Sequence, residues 1–124
     1  MTNQSALTRE EVPIAIESDG MELRVQEIGG GMVTAFVRLP AGADLGPAMV
    51  GLPDDLCQCP HWGYVQKGRV GLRTKNGEEV YEAGQAFHWS PGHAPYALED
   101  AEYVDFSPTT DFTVLVEHFM AQLG

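Results

Sequence analysis

Both cysteines of the chain and one of its four histidines fall within five residues, in the stretch CQCPH from Cys57 to His61. Cys57, Cys59 and His61 are spaced by two, and in an extended backbone residues two apart share a face. Thiolate and imidazole are donors that zinc and copper take readily, so metal ligation is one chemistry open to this stretch. A second is nucleophilic, with one cysteine attacking and a histidine as its base, though no third group that would orient the base stands out. The third reading holds no chemistry: cysteine is commonly buried as a small apolar residue, and the stretch is then a bend with buried sulfur.

The elements that must position these residues are short. MELRVQEI (21–28) and MVTAFVRL (32–39) read as strands separated by Gly29-Gly30-Gly31, the second with Val33, Ala35, Val37 and Leu39 in strict alternation. AMVGL (48–52) reads as a short apolar strand stopped by Pro53-Asp54-Asp55. RVGLRT (69–74) and EEVYE (78–82) flank Lys75-Asn76-Gly77, where Asn-Gly supplies the positive φ values of a tight hairpin turn. QAFHW (85–89) and EYVDF (102–106) are further strands, and residues 1–12 read as a polar arm or edge segment. After Ser107-Pro108, residues Phe112, Leu115, Phe119 and Leu123 recur at helical spacing, with a Thr or Asp as N-cap and Gly124 at the end. The β-branched Thr113, Val114 and Val116 leave a strand start possible there. Short strands plus one terminal helix point to a small β-barrel or sandwich.

Fourteen glycines and eight prolines in 124 residues fit many short strands in one domain. A net charge of −11 repels phosphate backbones and anionic lipid, which argues against nucleic-acid and membrane partners. No apolar run approaches membrane-spanning length and the start lacks the pattern of a secretory signal, so a cytoplasmic location with Cys57 and Cys59 as free thiols is expected.

At HWGYVQKGRV (61–70) and GQAFHWSPGHAP (84–95) the chain resembles the cupin family in its small, single-domain RmlC-like form. The first cupin motif ends in Glu, six residues, Gly; His61 stands in the Glu position and Gly68 is the Gly. The second opens with Gly, five residues, Pro, one residue, Gly; Gly84 and Gly92 fit, while the Pro has moved from position 90, which is Ser90, to Pro91. Fifteen residues separate Gly68 from Gly84, as in compact cupins, and YVDFSP looks like the last barrel strand. The resemblance spans roughly residues 45 to 108. It implies an all-β cupin jelly-roll β-barrel over about 21–108, a C-terminal α-helix over about 110–123, and one domain across 1–124. It also implies a homodimer, since cupins tend to pair through edge strands.

For function the resemblance is altered at its centre. Cupins commonly hold a divalent metal with two His of an HxH pair, the Glu, and a later His. Here Cys57 lies nearest the end of the HxH pair, His61 replaces the Glu, and the later His would fall at Pro95, two residues after His93. The implied set is Cys57, Cys59, His61 and His93, favouring softer metals: zinc first, with copper, iron or nickel as alternatives. Chain stiffness at Pro60 leaves three donors as open as four. The implied function is a metal-binding cupin that acts on or binds a small molecule, with catalytic and structural roles for the ion both open. The alternatives are a metal-free binding barrel, and a metal-dependent isomerase or dioxygenase, which would want more His and carboxylate ligands. Alternation turns His88 to the opposite face, and His118 falls on the outside of the helix. Trp62, Tyr64, Phe87, Trp89 and Tyr96 read mostly as core, with one or two lining a pocket.

Overall fold

The structure, a computed structural model, describes residues 6–123. Its alternating segments form nine antiparallel strands in two sheets. β1 (Ile14–Ser18), β2 (Met21–Gly29), β3 (Met32–Leu39), β4 (His61–Lys67), β7 (Ala86–Trp89) and β9 (Ala101–Pro108) make the larger, in the order β1-β2-β3-β9-β4-β7. β5 (Arg69–Thr74), β6 (Gly77–Glu82) and β8 (His93–Ala97) make the smaller, in the order β6-β5-β8. α1 (Thr109–Leu123) leaves the end of β9 directly. Val33, Ala35, Val37 and Leu39 of β3 join Val70 and Leu72 of β5 in one core, so the two sheets face each other across it as a jelly roll.

The β2–β3 hairpin follows its sequence signal, and the β5–β6 hairpin turns at the expected place without the expected positive φ at Asn76. Gly29, Gly30 and Gly31 all adopt positive φ between β2 and β3, a run that only glycine takes without strain. In the β5–β6 hairpin Thr74 pairs with Gly77, so Lys75-Asn76 is the loop and Gly77 alone carries a positive φ, +120°. The polar arm forms a short turn over Arg9–Glu11, closed by the Thr8 backbone N–H donating to Glu11 Oε1 at 2.7 Å. Arg9 then lies over the Phe36 ring and reaches Glu22 at 3.3 Å, which explains why Phe36 is buried although it alternates away from the core. Residues 1–5 of that expected arm lie outside the described residues.

Three elements depart from the sequence reading. The strand expected over 48–52 is instead a 3-10 turn, Pro47–Met49, followed by a lone bridge from Val50 to Leu52. Pro47 lacks an N–H and presets φ for a turn, and Met49 then drops into the core. β1 was not anticipated as a separate strand, and neither was β8. β8 contains Pro95, which fits because its backbone faces away from β5, its carbonyl accepting from Leu45 N–H at 3.0 Å, so the missing N–H takes no bond from the β5–β8 ladder. In α1 the apolar stripe decides for helix over strand: Phe112 and Leu115 are buried. Thr113 fits by donating its hydroxyl to the Thr109 carbonyl at 2.8 Å. The Leu123 side chain and the Gly124 terminus lie outside the described residues. Among the described residues no helix is long and apolar enough to cross a membrane.

Candidate metal centre

The two sheets bring their ends together at the stretch from Cys57 to His61. His61 is the first residue of β4 and His93 the first of β8, so one imidazole comes from each sheet. Cys57 belongs to the loop before β4 but is paired to β8, its N–H donating to the His93 carbonyl at 2.8 Å and its carbonyl accepting from His93 N–H at 3.2 Å. The donor atoms of Cys57, His61 and His93 all lie within 4.8 Å of one another, and all three residues are buried. The Cys57 sulfur is 3.8 Å from His61 Nε2. Cys59 is also buried, but its sulfur is outside this group and turns to the Pro60 carbonyl at 3.5 Å. Shared faces at a spacing of two hold for straight strand; residues 58–60 precede β4 and belong to no strand.

Hydrogen bonds fix the tautomers of both imidazoles. With Asp105 ionised, Ser107 Oγ donates its single proton to Oδ1 at 3.2 Å and so accepts from His61 Nδ1 at 2.7 Å. His93 Nδ1 lies 2.6 Å from the Ser90 carbonyl, which can only accept, so that nitrogen also carries the proton. Each ring thereby keeps a lone pair on Nε2. A metal-binding histidine is held in the same way, with its far nitrogen donating to an oxygen behind it.

The electrostatics suit a neutral donor set. Burial, with His93 nearby, lowers His61 to about 3, and burial lowers His93 as well, so both rings are uncharged at neutral pH. The 3.8 Å approach of His61 to Asp105 is therefore not an ion pair. Burial pushes Asp105 up to about 7 against the opposing hydrogen bond from Ser107. Burial pushes the Cys57 thiol up to about 12 and raises Cys59 too, which argues against either as a free nucleophile. A metal bound at Cys57 would displace that proton.

A cavity of about 70 Å³ opens from the donors, walled by Leu23 and Val37 of the larger sheet and by Leu115 and Phe119 of α1. Trp89 also lines it, while Phe87 packs behind in the core. Trp62 and Tyr64 do not belong to the core: they are 44% and 46% exposed, on the outer face of β4, and Trp62 stacks on His88 at 4.9 Å. His88 thus faces away from the donors as its alternation requires. His118 is half-buried on α1 and lies 2.9 Å from the Val50 carbonyl. Asp105 and Ser107 are the functional candidates that the sequence reading passed over. Alternation alone gave no signal for them, since Val104 and Phe106 make the opposite face of that strand the more apolar one; Tyr103 and Asp105 are the residues that turn inward.

The sequence matches no known family profile and no curated protein. Solved structures do match. An oxalate decarboxylase variant from B. subtilis aligns with a TM-score of 0.62 at 17% identity over 82% of this chain, which spans only 28% of that protein's length. An RmlC-like cupin from Shewanella frigidimarina gives 0.60 at 16% identity, covering 82% of this chain and 88% of the other. KdgF from Halomonas sp. gives 0.59 at 23% identity, covering 82% and 90%. Identities this low speak to architecture, and here the architecture is consistent from one neighbour to the next: this chain has the cupin jelly-roll fold.

Proposed function

We propose that the barrel holds one divalent metal ion, zinc before copper, iron or nickel, on Cys57, His61 and His93, and that the protein binds or acts on a small molecule there. The observation that carries this reading is the pair of fixed tautomers, which leaves two Nε2 lone pairs and one sulfur converging from three segments. Three protein donors leave a coordination position open, as in catalytic zinc sites; Cys59 is the residue that would close it, and its sulfur lies elsewhere. When bound, such an ion supplies a Lewis acid at the end of the cavity. The chain's own part is to hold both imidazoles neutral and oriented, with Asp105 and Ser107 behind His61, and to keep bulk water from the donors.

Elemental analysis tests this directly. Purified protein should carry close to one metal per chain, His61→Ala should lose most of it, and His88→Ala should keep it. Equal metal content in the His61 variant and the parent would refute the site. A metal-free binding barrel is the second reading, favoured by the mainly apolar cavity walls; it predicts no metal in any of the three proteins. We further propose a cytoplasmic homodimer. Two unpaired thiols support the compartment. The exposed Trp62, Tyr64 and Phe106 on one sheet face support pairing, and a sedimentation mass near 13.5 kDa would count against it.

A further inference from the structure

We infer that this site, taken as the metal centre proposed above, selects a small molecule with one metal-binding head and an uncharged, apolar body, and excludes dianions. The charge count at the donors is the first ground. With Cys57 bound as thiolate, a divalent ion leaves one net positive charge, not the two of an all-imidazole site. A single anionic head on the ligand already neutralises it.

The walls supply nothing for a second charge. Among the described residues no lysine or arginine lines the cavity. The guanidinium groups nearest the cavity, those of Arg24 and Arg9, are already engaged with Glu22 at 2.7 and 3.3 Å and do not line it. Beyond the donors the body of a ligand would meet Leu23, Val37, Leu115 and Phe119. A carboxylate pressed against those side chains would be buried without a partner, the costliest arrangement for a charge. The volume sets the size. An apolar cavity of about 150 Å³ takes a benzene ring, so one of about 70 Å³ suits a chain of a few carbons.

Butyrate and succinate test this, since both bring a carboxylate head on a short chain and only succinate carries a second charge at the far end. The full-length protein is loaded with cobalt(II), whose thiolate charge-transfer band reports Cys57 ligation before any ligand is added. Butyrate should shift the visible cobalt bands and saturate, and succinate should require about tenfold more, or greater, for the same shift. Succinate acting at the same or lower concentration would overturn the inference, as would a spectrum that neither compound moves. Absence of the charge-transfer band in the loaded protein would refute the metal site itself, and the inference with it.

Discussion

Replacing Ser107 by Ala separates the backing of His61 from the donors themselves. Ser107 is fully buried, and its hydroxyl both accepts from His61 Nδ1 at 2.7 Å and donates to Asp105 at 3.2 Å. The variant leaves two buried groups, an imidazole N–H and a carboxyl, each short of one partner. An orphaned buried group costs about 1–3 kcal/mol, so the metal-free variant should lose roughly 2–4 kcal/mol of unfolding free energy, less than the full sum because a protonated Asp105 tolerates the loss better. Metal affinity should fall separately, because the ring no longer has a reason to keep its proton on Nδ1. Loss of such an outer partner lowers affinity about 10–100-fold, equivalent to about 1.4–2.7 kcal/mol. Urea unfolding of the metal-free protein reads the first quantity, and zinc competition against a chromophoric chelator reads the second. A folded Ser107→Ala variant that binds zinc as tightly as the parent would show that the Asp105–Ser107–His61 chain is packing and does not set the donor.

The two cysteines should behave differently: Cys57→Ala should lose metal and Cys59→Ala keep it, and in the parent a chelator should speed the reaction of one thiol with a thiol reagent, not two. Retention of metal by both variants, or loss by both, would contradict the three-donor set. Glu22 is held below the usual carboxylate range, chiefly by the Arg24 hydrogen bond, so its stabilisation is present above the unfolded value of 4.5 and lost as pH falls through the lower folded value. Glu22→Gln should therefore cost roughly 1–2 kcal/mol at pH 7 and nothing once both forms are protonated, as read by urea unfolding at both pH values. A Cβ at Gly63 would lie 2.4 Å from the Val104 carbonyl oxygen and 2.5 Å from Phe87, so Gly63→Ala should destabilise by about 2–4 kcal/mol, visible as a lowered thermal midpoint.

Where signals were local, the sequence disclosed the fold. The β2–β3 and β5–β6 hairpins declared themselves because alternation and glycine turns act within ten or so residues. β8 was hidden by Pro95, whose tolerance depends on its backbone facing the irregular segment around Leu45 and not β5, a property of the assembled sheet. The segment 48–52 is apolar enough for a strand, yet Met49 is buried from a turn, because the core beneath it accepts a side chain from any backbone. At the site, Cys57, His61 and His93 could be proposed from their places in two motifs. That Cys59 turns aside could not, because it depends on residues 58–60 lying outside any strand, with β4 starting only at His61. The outward aim of Trp62 and Tyr64 was readable, since each is an odd number of residues from His61 and so lies on the opposite face of the same strand. Asp105 was not readable by parity, because alternation in residues 102–106 would turn Val104 and Phe106 inward, the reverse of the buried Tyr103 and Asp105.

All three donors and the pair of residues behind His61 precede Thr109, whereas one wall of the cavity is α1, which begins there. On the proposed function, holding the ion and shaping the ligand fall to separate stretches of chain. Substitutions at Leu115 or Phe119 can widen or narrow the room without moving a donor, and the helix rests on the barrel partly through His118 and Gln122, each 2.9 Å from the single Val50 carbonyl. Descendants of this barrel could therefore trade one ligand for another by rewriting a fifteen-residue helix, with the inorganic chemistry inherited unchanged.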